Sequence, residues 1–228
     1  MLTDRKKELL TTIIREHIRE AQPVGSSVIV DKYNVKVSPA TIRNEMMDLD
    51  KQGYLYQPHT SAGRLPTEKA WKFYLDSGMK EAALAKSMEK QLADALKRGT
   101  EINQSIKEMA KEMAIMSKQT VIFSFNPNDN FYTGIANLFR QPEFAQQEII
   151  YELSDVIDHL DEVVEELFEK IDNQVEVFIG KENPFGVQCG FIATKSKRGL
   201  MGILGPIRQD YQHHHALLIY SKQLVTKL

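Results

Sequence analysis

The chain has a single cysteine, Cys189. A lone thiol cannot close an internal disulfide, which excludes a disulfide-stapled scaffold and fits a reducing cytosol. No apolar run approaches the ~18 residues needed to span a bilayer. Met1-Leu2-Thr3-Asp4-Arg5 carries charges where a secretory signal needs an apolar core. A cytoplasmic protein without membrane contact is therefore expected. Catalytic constellations are equally scarce: there is no Gly-rich phosphate loop, zinc-ligand spacing or nucleophile elbow. His213-His214-His215 is the only histidine cluster, and consecutive helical residues point in three directions instead of converging on a metal. Cys189, within the apolar stretch Val187 to Ala193, reads as a small core residue. The reading is no enzyme, no metal site and no cofactor.

A broad field of one charge is missing too. Net charge is −2 over 228 residues, enough chain for one or two domains with a real core. Residues 1–118 hold 20 Lys/Arg against 16 Asp/Glu, whereas residues 119–228 hold 9 against 15. An excess of four positive charges in the first half is modest for a nucleic-acid binder. Affinity would have to come from well-placed contacts and from doubling by dimerisation.

What the chain does have is a tightly specified stretch at residues 23–66. Val37-Ser38-Pro39-Ala40-Thr41-Ile42-Arg43-Asn44-Glu45-Met46 writes a helix start. Ser38 fits the N-cap, Pro39 the first helical position, and Val37 with Ile42 a hydrophobic staple; Gly53 is the stop. Ile42, Met46 and Leu49 recur at helical spacing and are expected to be buried. The opposite face carries Ala40, Asn44, Met47 and Lys51, flanked by Thr41 and Arg43, groups that reach base edges and phosphates in a major groove. Upstream, Thr3 to Glu20 reads as a helix with an apolar stripe of Leu9, Leu10, Ile13, Ile14 and Ile18. Gly25-Ser26-Ser27 opens a short second helix ending near Tyr33, and Asn34 to Val37 form the tight turn before the third. Downstream, Tyr54-Leu55-Tyr56 alternates like a strand. Gln57-Pro58-His59-Thr60-Ser61-Ala62-Gly63 is a polar loop, and Arg64-Leu65-Pro66 returns. Three helices followed by such a hairpin read as a winged helix-turn-helix. The candidate DNA contacts are Ser26 and Ser27 at the second helix, Ser38, Ala40, Thr41, Arg43, Asn44, Met47 and Lys51 along the third, and His59, Thr60, Ser61 and Arg64 in the wing.

These strings are similar to the HrcA family of bacterial heat-inducible transcription repressors. The likeness is carried by Pro23-Val24-Gly25-Ser26, by Ser38 to Met46, by Gly53-Tyr54-Leu55 and by Gln57 to Thr67. It returns in Ile135 to Phe144, Val175 to Pro184 and Leu204 to Tyr211. The resemblance implies an inverted-repeat operator upstream of chaperone operons, a homodimer, modulation by the chaperonin GroEL, and a C-terminal GAF-like domain. Family members carry an inserted dimerisation segment within that domain. Here Phe125 is followed after a few residues by Phe131-Tyr132-Thr133-Gly134 and then directly by Asn137 to Phe144, so the domain is shortened.

The fold expected is thus α+β, with a winged helix-turn-helix over 1–78, an amphipathic helical linker or interface over 79–118, and a shortened GAF-like regulatory and dimerisation domain over 119–228. Thr67 caps a fourth helix in which Trp71 and Tyr74 serve as core in preference to base-stacking platforms. Leu84, Met88, Leu92 and Leu96, then Ile102, Ile106, Met109 and Met113, form two stripes that need covering, with a helical interface favoured over a linker lying on its own domain. Thr120 to Phe125 reads as a strand. Phe131 to Phe139 is open between strand and helix. Glu152 to Asp172 reads as one amphipathic helix with an acidic, solvated outer face. Val175 to Ile179, Gly186 to Thr194 and Leu200 to Leu204 are expected strands, with a hairpin turn at Lys195 to Gly199 and a closing helix from Tyr211 to Lys227. Two functions follow. The first is a dimeric DNA-binding repressor of heat-shock genes that loses affinity on heat stress. The alternative is a one-component regulator whose GAF-like domain senses a small molecule.

Overall fold

The computed structural model describes residues 2–33, 37–78, 82–145 and 147–228. Contacts divide the chain into two units, Met1–Lys80 and Glu81–Leu228. The turn expected at Asn34 to Val37 lies, apart from Val37, outside the described residues.

In the first unit, α1 (Asp4–Glu20), α2 (Ser26–Tyr33) and α3 (Pro39–Lys51) precede an antiparallel pair, β1 (Leu55–Tyr56) and β2 (Leu65–Pro66). Then comes α4 (Glu68–Phe73), continued by a π-helical turn from Tyr74 to Gly78. Leu9, Leu10, Ile13 and Ile14 of α1 are buried, as are Ile29 of α2 and Ile42, Met46 and Leu49 of α3. Ile18 of the same stripe is half-buried. Thr67 caps α4 by accepting the Ala70 N–H. Trp71 and Tyr74 are both buried, their rings edge-on at 6.3 Å, so they pack the core and present no platform to a base.

The second unit holds α5 (Lys86–Leu96), α6 (Ile102–Ser117), β3 (Thr120–Asn126), β4 (Asp129–Thr133), α7 (Ile135–Phe139), α8 (Gln147–Asp158), α9 (Leu160–Lys170), β5 (Glu176–Ile179), β6 (Cys189–Ser196), β7 (Gly199–Pro206) and α10 (Tyr211–Thr226). The five strands pair in the order β4-β3-β7-β6-β5, every neighbour antiparallel. Side chains alternate across this sheet. Ile122, Phe191, Ala193, Leu200 and Leu204 join one core with Leu138, Leu153, Leu160, Val164 and Leu167 from α7 to α9. The opposite parity, Val121, Phe123, Ile192, Met201 and Ile203, is covered by α6 and α10. Helices on both faces of an antiparallel sheet are consistent with the GAF-like expectation.

Three elements depart from the sequence reading, and a fourth, left open there, is settled. The stripe of α6 does not await a partner: Ile106, Met109 and Met113 are fully buried within the second unit, where α6 packs against α5, β3 and α10. The helix expected at Glu152 to Asp172 begins earlier and breaks at His159, whose backbone leaves the helical region (φ −104, ψ 28). A straight helix through both pieces would run ~36 Å, longer than any strand beneath it, and the break keeps Leu153 and Leu160 both on the sheet. Residues 186–188 fall outside β6, because the Asn183 side chain closes a turn, donating to the Cys189 carbonyl at 2.8 Å and accepting the Phe185 N–H. Phe131 to Phe139 resolves into both options, divided at Gly134 (φ +80).

The histidine run does not gather a site. Among the described residues no group of three or more His, Cys, Asp or Glu is placed to hold a metal. His214 is buried, with Nδ1 at 2.8 Å from the Gln209 side-chain oxygen and Nε2 at 3.4 Å from the Ser117 carbonyl. The Gln209 amide nitrogen is committed to the Gly190 carbonyl at 2.6 Å, so its oxygen faces Nδ1. Burial, reinforced by neighbouring His213, pushes the His214 pKa down to about 4. The unfolded chain, near 6.5, therefore takes up the proton first as pH falls. Stability from this group is complete above pH 6.5 and is lost between there and pH 4, by about 3 kcal/mol. Urea midpoints measured from pH 7.5 to 4.5 should show this acid slope in the wild type and a shallower one in His214→Gln. Equal slopes would contradict the assignment. Burial also raises the Cys189 thiol to about 12, leaving it unreactive at neutral pH.

Candidate nucleic-acid interface

α3 is bounded by local chemistry. The Ser38 hydroxyl accepts the Thr41 N–H at 3.2 Å and touches the Thr41 hydroxyl at 3.0 Å. At the other end the Gly53 N–H returns to the Asp50 carbonyl and the Tyr54 N–H to the Leu49 carbonyl, with Gly53 at φ +75. This is the paired closure of a Schellman motif, which needs a left-handed residue at that point.

Burial of Ile42, Met46 and Leu49 fixes which side of α3 faces out. Ala40, Thr41, Arg43, Asn44, Met47 and Lys51 are all exposed, Met47 at 41%. The three carboxylates of the helix are each engaged by a cation. Glu45 meets Arg5 at 2.7 Å, Asp48 meets Lys6 at 3.0 Å and Asp50 meets Arg64 at 3.1 Å. Arg43 and Lys51 are left as the helix's own cations on a face whose negative charges are compensated. That is the electrostatic condition an anionic polymer requires.

The hairpin loop is built as a compact unit. Gln57 Nε2 donates to the Thr60 carbonyl at 3.0 Å and the Ala62 carbonyl at 2.8 Å, and the Ala62 N–H donates to the His59 carbonyl at 2.9 Å. His59, Thr60 and Ser61 are exposed, with the Ser61 hydroxyl 3.3 Å from His59 Nδ1. The base of the loop is joined to the strand-like residue before α2, since Val24 and Arg64 exchange both backbone hydrogen bonds at 2.9 Å.

Between these parts lies a cleft of about 520 Å³. Of the thirteen candidate residues it brings together Ser26, Ser27, Arg43, Met47, Thr60, Ser61 and Arg64. Ser38, Ala40, Thr41, Asn44, Lys51 and His59 lie outside it. Arg64 stands apart in another way: its side chain is only 12% exposed and its Nε is paired with Asp50. Sequence reasoning did not single out Gln57, Gly63 or Asp50, whose roles depend on partners several to many residues away.

The family profile described as HrcA protein C terminal domain matches residues 72–214. The chain belongs to the HrcA family. A relative from Pelotomaculum thermopropionicum, a heat-inducible transcription repressor HrcA, is 51% identical over 88 residues, which is 39% of this chain and 25% of that protein. The chain thus matches well under two thirds of that relative's length. The HrcA repressor of Carboxydothermus hydrogenoformans aligns with 100% of this chain and 98% of its own length at 24% identity. That alignment spans 338 positions against 228 residues here, so a long portion of the HrcA relative has no counterpart in this chain. A crystal structure of a hypothetical protein at 2.2 Å resolution shares the fold, with a TM-score of 0.76 at 18% identity over 100% of this chain and 98% of that one. No helix among the described residues is long and apolar enough to cross a membrane.

Proposed function

We propose that the protein is a heat-inducible transcription repressor whose first unit is a winged helix-turn-helix that reads double-stranded DNA. The observation that carries this reading is the outward face of α3. Exposed Arg43 and Met47 stand beside a hairpin loop across a shared cleft, with exposed Asn44 next to them on the helix, while every carboxylate of the helix is neutralised by a cation. α3 acts as the recognition helix, its first turns meeting base edges, and His59, Thr60 and Ser61 of the wing meet the backbone or minor groove. Residues 1–78 bind DNA; residues 79–228 supply the dimer. One winged module reads a half-site, and joining two raises affinity through effective concentration, so the operator is an inverted repeat. The small-molecule sensor is not favoured, because Phe178, Phe185, Phe191 and Phe144 fill one face of the sheet.

The test is selection from a random duplex pool with the full chain. An enriched inverted repeat is expected, and a pool that stays random would overturn the reading.

Heat acts by opening the second unit, and the resemblance to HrcA supplies GroEL as the partner that rebinds the opened form. Trp71, the only tryptophan, is buried in the first unit and reports on it alone. In a thermal series, loss of DNA binding should coincide with the far-UV circular dichroism transition while Trp71 fluorescence stays native. DNA release well below any structural transition would point to a bound effector instead.

A further inference from the structure

We propose that Gln57 is a positioning residue that shapes the wing for DNA without touching it. This rests on the DNA-binding reading of the same site. Gln57 precedes Pro58, which holds its backbone extended and starts the loop in a fixed direction. Five residues after Pro58 the chain must be back at Gly63, whose Cα lies so close to Val24 that a Cβ there would sit 2.4 Å from the Val24 carbonyl carbon and oxygen. A loop that short leaves carbonyls pointing inward with no strand partner. The two N–H bonds of one side-chain amide meet two of them, Thr60 at 3.0 Å and Ala62 at 2.8 Å. An amide suits this task because a single nitrogen carries two divergent donors and no charge. The carbonyls it holds bracket Ser61, so the amide fixes the tip residues that face the duplex. Holding them in the bound shape beforehand removes an ordering cost from binding.

Gln57→Met keeps the length of the side chain and removes both donors. In the full chain it should speed hydrogen exchange at the Ala62 amide while leaving the Trp71 unfolding midpoint unchanged. Affinity for the inverted-repeat duplex recovered by selection should fall about tenfold. In a Thr60→Ala, Ser61→Ala background the same substitution should cost less than about twofold, because the tip it positions is gone. Unchanged affinity in Gln57→Met would overturn the proposal. A full tenfold loss in the tip-deleted background would also overturn it, since Gln57 would then contact DNA itself. If selection enriches no duplex, the DNA-binding reading itself fails and takes this assignment with it, a result distinct from either of the others.

Discussion

Arg43→Ala and Asn44→Ala are each expected to weaken binding to the selected duplex by ~1–3 kcal/mol, from about fivefold to over a hundredfold, and to relax base preference. Both side chains are exposed on the first turns of α3, Asn44 on the face opposite buried Ile42 and Met46 and Arg43 on its flank. Neither contributes to the core, so Trp71 fluorescence and the unfolding midpoint should stay at wild-type values. The loss should be largest against the selected sequence and small against scrambled duplex. Arg64→Ala is expected to behave differently. Its guanidinium ties Asp50 at the end of α3 to the base of the hairpin loop, and removing it leaves that carboxylate uncompensated beside the proposed DNA-binding face. Affinity should drop evenly across sequences. Fluorescence anisotropy on matched and scrambled duplexes separates the two patterns. If Arg43→Ala and Asn44→Ala discriminate between sequences as wild type does, α3 is not the recognition helix.

Gly63→Ala is the second substitution with a large expected effect. The glycine φ is ordinary here, so the requirement is space. An added Cβ would lie 2.4 Å from the Val24 carbonyl carbon and oxygen and 2.8 Å from the Gly25 nitrogen. These are backbone atoms held by the reciprocal Val24–Arg64 hydrogen bonds, so no side chain can swing aside. Either the wing lifts from the segment leading into α2 or that segment shifts, at a cost of about 1–3 kcal/mol to the first unit. The cleft that collects Ser26, Arg43, Thr60 and Ser61 would open in the same movement. Urea unfolding followed by Trp71 should show the loss, and DNA affinity should fall more than tenfold for every duplex. Wild-type stability with wild-type affinity would mean that the wing is not clamped as described.

How much of this was legible beforehand depends on how far apart the deciding residues lie. The bounds of α3 were, because Ser38, Pro39 and Gly53 act on backbone groups within a few residues. The same holds for Thr67 before α4 and for the β6–β7 hairpin. The outward face of α3 was legible for the same reason, since Ile42, Met46 and Leu49 give its inner face by spacing alone. Arg64 was not. A polar hairpin loop followed by an arginine suggests a DNA contact, but Asp50, fourteen positions upstream, takes the guanidinium once the hairpin folds back. The α6 stripe was visible and its partner was not. Periodicity says that Ile106, Met109 and Met113 must be covered, while only the assembled unit, with α5, the sheet and α10 around α6, says by what. The break at His159 likewise answers to the length of the strands beneath it, a tertiary constraint that outweighs an unbroken helical pattern.

Two copies of the first unit are expected to read one inverted repeat. Sedimentation velocity of the full chain with a duplex carrying the selected repeat tests it most directly, run beside a duplex with one half-site scrambled. Two chains are expected on the intact repeat, with sharply weaker loading on the scrambled one. A single chain per duplex, bound equally well to both, would contradict it.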